Sequence, residues 1–572
     1  MADQLSPKSL NELGDAYFTG TGKPLNKEMA YTYYKQAADL DNPLGHFNIG
    51  KYFLDKSDYK NAIEAFHKAK SYKYAPALLE LAKMVSMGRG MKKNKKKAFK
   101  FYEEAAQYAD LDAYMELANC YEVGYGTKKN VDKAKDYYKK AADHLHPAAL
   151  YKMGLFALST PKEKNAGENA IAYFEKAASL NHVGSMKQLI KLYDGAQLPA
   201  FKKKSVQYCK EMVFYYTEML AKVNDLQALE VVSFAYYEGN DFVKKNHEKA
   251  ANYFLTLAEM DYPSGLYGLG ISYLYGHGLR MDLEKAKVNL EKAADKGHVM
   301  AMTKLGDFVR MRAKSASDFE LAKDWYMQAA KRNEVEALIN LGLLNYRSQV
   351  ENANPQLARQ YFETAAKKGA SGAYYWLGVI YQKGDGVDQN FEIAKKNYEK
   401  AIASGHLGAK YKLATMYIES AKQQKLKQKV KKERYVFAHR YLLDYILDPN
   451  HNQANYILSM NLLGYLYEFG LGVDTNKRAA RYWNEFAATN GNTDSMVWMF
   501  HALKNKEVQE ALKYLEDACK QDDAYEAHYQ LGMLYLEGYV PMLKIDIKKA
   551  KQHFEIASRG NHPSAVAKLL VL

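Results

Sequence analysis

The sequence predicts an all-α protein, a right-handed superhelical solenoid of about fifteen stacked helical hairpins. Three observations lead there. A grammar of glycine, alanine and tyrosine returns about every 36 residues through most of the 572-residue chain, and self-similarity at such a period marks repeat architectures. Within each repeat the apolar and small residues recur at three- and four-residue steps, which is helical periodicity. Alternating runs of β-branched residues bounded by turns are missing, so strands have nowhere to form.

The period is plainest in "YLYGHGLRMDLEKAKVNLEKAADKGH" from Tyr273, "YQKGDGVDQNFEIAKKNYEKAIASGH" from Tyr381 and "YEFGLGVDTNKRAARYWNEFAATNGN" from Tyr467. The first helix of each unit carries a leucine or its equivalent, as at Leu13, Ile49, Leu81, Leu117 and Met153, and again from Leu269 to Leu531. A small residue follows it, Gly14, Gly50, Gly154, Gly306 and Gly378 among others, where a larger side chain would hold the two helices apart. A Gly-x-Gly turn comes next. In the fourth unit this is Gly124-Tyr125-Gly126, and the lysines after it give it a passing likeness to a phosphate loop that its recurrence in other units dispels. The second helix opens on Lys-Ala and closes on Ala-Ala, with Ala134, Tyr137, Tyr138, Ala141 and Ala142 forming its apolar stripe in the fourth unit. Gly-His or His-Pro ends the unit. Prolines at Pro43, Pro76, Pro147 and Pro263 stand at the start of the next first helix, where a missing N–H costs no hydrogen bond. One hairpin cannot bury its apolar face alone, so neighbours must stack around a shared core.

Three regions break the period. The second unit, "YFLDKSDYKNAIEAFHKAK", drops the Gly-x-Gly turn and is about four residues short. From Gly195 to Asp225 the Ala-Ala and Gly-His signals lapse. Between Ser420 and Asn455 a lysine-rich insertion adds roughly fourteen residues and is expected to lengthen its helices or the loop between them. The expected organisation is an N-terminal array over 1–195, an irregular segment over 196–225, a C-terminal array over 226–563 with the insertion near 420–453, and a short cap over 564–572.

The Leu-Gly, Gly-x-Gly, Lys-Ala, Tyr and Ala-Ala positions resemble the SEL-one-like repeat family, relatives of the tetratricopeptide repeats with a slightly longer unit. The resemblance covers nearly the whole chain. It implies a protein that binds other proteins: similar proteins serve as adaptors in membrane-linked degradation complexes, in regulating wall-polymer synthases, and in bacterial signalling or host interaction. The cysteine-rich secreted branch of the family is excluded, because Cys120, Cys209 and Cys519 lie far apart and form no CxxC pair.

Composition narrows the setting. No stretch approaches the roughly 18 apolar residues of a membrane span, and the N-terminal residues lack the apolar run of a secretory signal, so a cytoplasmic protein is expected, with the nucleus open as an alternative. A net charge of +15 and a pI near 9.1 invite an acidic partner such as nucleic acid, an anionic filament or a membrane surface. The simpler reading is a solubilising surface, since the lysines are interspersed with acids. Three runs stand apart: Lys92, Lys93, Lys95, Lys96 and Lys97; Lys202, Lys203 and Lys204; and Lys429, Lys431 and Lys432. The first is placed between the two helices of its unit.

Catalytic patterns are missing from the sequence. Gly45, Gly50 and Lys51 match a phosphate-binding loop up to the residue that would hold magnesium, where Tyr52 stands instead of Ser or Thr. The repeat register also puts Gly50 inside a helix. No HExxH or Gly-x-Ser-x-Gly occurs, and the histidines at unit ends, His144, His146, His298, His406 and His562, read as helix caps or packing groups. No catalytic residue, cofactor or metal ligand is therefore expected, and the protein is read as no enzyme.

What remains is surface. The resemblance implies that first helices line a concave groove, with residues two before and two after the leucine pointing into it: Phe47, Tyr151, Tyr267, Ile271, Ile339, Leu343, Tyr375, Val379, Tyr411, Tyr465 and Tyr529. An aromatic and aliphatic ladder of this kind suits protein recognition, because tyrosine offers contact area at little cost in rotamer entropy. The expected function is a non-catalytic scaffold or adaptor gripping a protein or peptide in that groove, within a larger complex. The alternative is a basic solenoid binding an acidic partner along its lysine edges.

Overall fold

The periodic segments are helices, as the spacing predicts. The computed structural model describes residues 5–160, 165–195, 204–347, 354–423, 426–539 and 542–572. Among these residues the chain forms thirty-one helices, numbered α1 to α31 in order, which alternate as first and second helices of fifteen units with α31 (Pro563–Leu569) left over. Strands are absent among the described residues; one isolated bridge joins Tyr539 and Leu543. Two compact units divide the chain, residues 1–289 and 290–572.

The fourth hairpin shows how sequence makes the unit. Its first helix, α7 (Leu111–Val123), begins at Asp110, whose carboxylate accepts the Ala113 N–H at 2.8 Å, and ends at Gly124 with φ 79°. Gly126 follows with φ 72°, and a Cβ there would stand 2.3 Å from the Lys95 carbonyl oxygen on α6 (Lys95–Ala106). The second glycine of the turn is thus a docking point on the preceding hairpin. Asn130 then closes the turn twice. Its N–H donates to the Tyr121 carbonyl at 2.8 Å, and its Oδ1 accepts the Lys133 N–H at 3.0 Å to start α8 (Val131–Asp143). Asn26, Asn94, Asn246, Asn390 and Asn476 repeat this double closure. Such an N-cap is worth about 1 kcal/mol.

Inside the hairpin the small residue after the leucine receives a ring twenty residues later. A Cβ at Gly14 would meet Tyr34 at 2.4 Å, at Gly154 Phe174 at 2.5 Å, at Gly306 Tyr326 at 2.5 Å and at Gly378 Tyr398 at 2.6 Å. Gly50 does the same for Phe66, which removes it from any phosphate loop: it lies within α3 (Pro43–Asp55) against a ring. The rings are fully buried, each stabilising the fold by roughly 2–3 kcal/mol relative to exposure. Where the ring is tyrosine, its hydroxyl donates to the first helix: Tyr138 to Glu122 at 2.6 Å, Tyr326 to Asp307 at 2.8 Å. Phenylalanine at the same place asks for no partner.

Junctions between hairpins explain the Gly-His signal. Gly297 has φ 87° and Leu145, Asn181 and Asn561 take the same left-handed conformation without glycine. The histidine that follows caps the next helix through Nδ1, His146 from Ala149 N–H at 3.3 Å, His298 from Ala301 at 3.2 Å and His562 from Ala565 at 3.2 Å. Prolines start helices at Pro43, Pro147 and Pro263, and Pro76 sits in the first turn of its helix.

The irregular regions remain helical. In the short second unit, Ser57 takes φ 58° where other turns use glycine. Of the segment 196–225, residues 196–203 lie outside the described residues, and α12 (Val206–Lys222) packs with α11 (Val183–Gly195) and α13 (Leu226–Glu238). The lysine-rich insertion lengthens helices, giving α24 (Gln428–Ile446) nineteen residues and α25 (Gln453–Phe469) seventeen. At the C-terminal end, α31 packs on α30 (Ile547–Arg559) with Ala565 buried, while Leu570 and Val571 are exposed.

Candidate partner-binding face

First and second helices are buried differently. In α15 (Pro263–Tyr275) nine consecutive residues, Ser264 to Ser272, are buried, whereas α26 (Lys477–Thr489) buries only Ala480, Asn484, Ala487 and Ala488. First helices also meet the next first helix, α1 (Pro7–Thr19) with α3, α13 with α15, α23 (Gly408–Ala421) with α25, and α27 (Thr493–Leu503) with α29 (Tyr525–Glu537). They form an inner layer packed on both sides, and second helices present one face to solvent.

Of the eleven residues assigned to the groove, eight are half-buried: Phe47, Tyr151, Ile339, Leu343, Tyr375, Tyr411, Tyr465 and Tyr529. Tyr267, Ile271 and Val379 are buried in the protein's own packing. Tyr267 packs on the Phe234 ring of α13, centroids 6.1 Å apart, while on another side α15 lies tight against α14 (His247–Glu259) at Gly265 and Gly268, where a Cβ would meet Leu257 at 2.3 Å and Phe254 at 2.1 Å. Val379 belongs to the apolar cluster of the next hairpin with Met416 and Tyr417. Several half-buried members stack on the histidines at unit ends, Tyr375 on His406 at 4.5 Å and Tyr529 on His562 at 4.4 Å. His406, unlike His562, does not cap the next helix, and its buried Nδ1 has no hydrogen-bond partner among the described residues.

Around Tyr465 the layer opens into a pocket of about 290 Å³, lined by Ile418 and Lys422 of α23, Asn461, Tyr465 and Phe469 of α25, and Asp494 and Trp498 of α27 (Thr493–Leu503). Lys422 lies 5.2 Å from the Tyr465 ring, and Asn461 donates to Ser495 at 2.9 Å. Here Gly464 faces Asn484 instead of a ring, and Asn484 accepts from Ser495 at 3.1 Å. Three successive first helices thus supply aromatic walls and both signs of charge. A larger hollow of about 510 Å³ lies between α11, α12 and α13 beside Lys204, the first described residue after 196–203.

The basic runs are dispersed. Lys92 and Lys93 are exposed in the turn, while Lys95, Lys96 and Lys97 form the first turn of α6, not a loop, because Asn94 caps that helix. Lys202 and Lys203 lie outside the described residues, and Lys204 sits 4.6 Å from the Tyr208 ring. Lys429 and Lys432 are exposed on α24 and Lys431 is half-buried.

One cluster escaped the sequence reading. Cys519, His528 and His553 bring one ligand-type atom each within 4.8 Å of one another. Burial pushes the His553 imidazole down to about 4 and lowers His528 as well, and it raises the Cys519 thiol to about 12. Cys120 and Cys209 are buried free thiols elsewhere.

A sequence profile of the Sel1 repeat matches residues 7–42, 75–107, 111–144, 147–182, 227–262, 263–298, 299–334, 335–369, 371–406, 457–492, 504–523 and 526–562. The chain belongs to the Sel1 repeat family. Sel1 repeat proteins mediate protein–protein interactions. The three longest stretches that the Sel1 profile passes over, 43–74, 183–226 and 407–456, contain the three irregular regions of the sequence. A chitin synthase regulator of Saccharomyces cerevisiae is 28% identical over 158 residues, 28% of this chain and 21% of that protein, so the match spans about a fifth of the relative's length. Among solved structures, a protective antigen of uropathogenic Escherichia coli with an SLR fold is 18% identical, covering 89% of this chain and 97% of its own, with a TM-score of 0.44. A Sel1 repeat protein from Oxalobacter formigenes is 24% identical over 43% of this chain and 98% of its own, with a TM-score of 0.31. No helix among the described residues is long and apolar enough to cross a membrane.

Proposed function

We propose that this protein is a non-catalytic scaffold or adaptor that holds a peptide or a loop of a folded partner on the layer of first helices, centred on Tyr465. The observation that carries this reading is the pocket of about 290 Å³ in which Tyr465, Phe469 and Trp498 stand beside Lys422, Glu468 and Asp494. Aromatic walls with a few charged groups are what interface hot spots are made of. The similarity to a chitin synthase regulator over 158 residues supports a regulatory part exerted on another enzyme by binding it.

A phage-displayed peptide library selected on the immobilised full chain tests the reading. Enriched peptides should bind Tyr465→Ala and Trp498→Ala at least ~10-fold more weakly, the scale of a lost hot spot, and should keep their affinity as salt rises. Peptides that bind both variants as well as the parent overturn it. So does binding that collapses with salt and depends on Lys95 to Lys97 or Lys429 to Lys432, which is the signature of a polyanion-binding edge.

A further inference from the structure

The strongest unassigned feature lies where α28 (Val508–Ala518), α29 (Tyr525–Glu537) and α30 meet. Cys519 follows α28, His528 is on the first turns of α29, and His553 is on α30. The two Nδ1 atoms are 2.9 Å apart, and the cysteine sulfur completes a triangle with no side longer than 4.8 Å.

The repeat register gives an internal control. Cys519 occupies the second position of the Ala-Ala pair, filled by Ala142, Ala294, Ala366 and Ala488 elsewhere. His528, four residues before Gly532, takes the place of Leu150, Met302 and Leu338. His553 precedes the buried ring Phe554 as Tyr137, Tyr173 and Tyr361 precede theirs. The scaffold is satisfied by alanine, an aliphatic residue and tyrosine. Here all three are metal-ligand types at once, and the fold brings them together from 34 residues of chain.

We propose that Cys519, His528 and His553 bind a transition-metal cation, zinc first, through one thiolate and two imidazole nitrogens, with a fourth position open to water or to a ligand from a partner. A thiolate with two imidazoles suits zinc in type and number, and three protein ligands with one open place is a known zinc arrangement. Tetrahedral zinc with Zn–N near 2.0–2.1 Å sets its nitrogens ~3.3 Å apart, so the two rings need to part by only ~0.4 Å. One ring is already held on its outer side: the Tyr535 ring stacks on His553 at 5.7 Å and 8°. Such support fixes ring orientation for a metal. His528 is buried while Cys519 and His553 are half-buried, which leaves one side open for entry. On binding, the thiol proton leaves to solvent and the sulfur–metal bond takes its place, with no redox change. The site lies beside the apolar cluster that runs from Phe500 and Leu515 into α29 at Ala527 and Leu531, and beside the smaller cluster around Phe554.

Cobalt titration of the metal-free full chain tests this. One equivalent of Co²⁺ should give a thiolate-to-cobalt charge-transfer band and tetrahedral visible bands, both erased by Zn²⁺. Cys519→Ala should abolish the charge-transfer band, and His553→Tyr should weaken binding beyond the ~10–100-fold that losing a supporting partner costs. Both variants install residues that other hairpins carry, and circular dichroism will register whether they fold. The double variant Cys120→Ser, Cys209→Ser should keep the bands. No thiolate band in the parent chain, a band that survives Cys519→Ala, or a band lost in the double variant each overturns the assignment.

Discussion

The fourth and fifteenth hairpins are built on one plan and finished differently. Both bury a ring and a small residue, Tyr138 with Ala118 in one apolar cluster and Phe554 directly against Gly532, and both are followed by a histidine cap whose Nε2 reaches an acid, His146 to Asp112 at 3.3 Å and His562 to Glu526 at 2.8 Å. They part at the turn. The fourth closes tightly, with Gly126 docked against the Lys95 carbonyl; the fifteenth uses a longer loop whose Tyr539 hydroxyl donates to the Lys504 carbonyl at 2.6 Å. They part again beside the ring, where tyrosine in one is histidine in the other. The contacts that define the hairpin are few, and the positions around them are free to change chemistry.

The sharpest break of this comparison is at the tight turn. Gly126→Ala forces a side chain into both a left-handed backbone and the Lys95 carbonyl, at a cost of roughly 2–4 kcal/mol when strain and overpacking are combined. Gly22→Ala is the control, since nothing lies within 4 Å of a Cβ there; it should cost about 1 kcal/mol. Because repeat arrays unfold by neighbouring units, local amide exchange across α6 to α8 and α1 to α2 is the measurement. Equal losses at the two glycines would remove the docking role of Gly126.

Much of this plan was legible in the sequence, and the limits of legibility have physical causes. Glycine, proline and the alanine pair announce themselves because backbone conformation and close approach admit few alternatives. The asparagine caps passed unnoticed although Asn26, Asn94 and Asn130 stand at one register, since a polar residue before a helix blends into any loop. Tyr267 and Ile271 are buried instead of lining a groove, Tyr267 against the Phe234 ring of the preceding first helix, a contact between repeats that spacing within one repeat does not show. His528 and His553 are 25 residues apart and match no short motif. Laying the repeats over one another would have exposed them, as histidines where leucine and tyrosine belong.

A second test moves the fifteenth hairpin toward the fourth. Cys519→Ala, His528→Leu and His553→Tyr together replace buried or half-buried polar groups by the residues of regular repeats. In metal-free buffer the triple variant should be more stable by about 1 kcal/mol, the scale of one buried polar group relieved, seen as slower exchange in α28 to α30. Excess zinc should stabilise the parent and leave the variant unmoved. A variant less stable than the metal-free parent would mean that the cluster itself supports the fold.

The smallest expected effect concerns the caps that both hairpins share. A histidine accepts an N–H at Nδ1 only while that nitrogen is unprotonated, so each His cap is a pH-dependent cap. At His298 burial pushes the imidazole down to about 4, below the ordinary value near 6.5. A folded-state pKa below the unfolded one means that the folded chain favours the neutral ring. The stabilisation is therefore complete above about pH 6.5 and is lost as pH falls toward 4. His298→Asn keeps an acceptor of the kind that Asn42 and Asn492 supply at equivalent junctions, and removes the titration. Parent and variant should agree above pH 7. Below pH 6 the parent should lose up to about 1 kcal/mol of local stability, the worth of one cap, read from Ala301 amide exchange after correction for the intrinsic rate. Parallel profiles would show that the His298 cap does not sense pH.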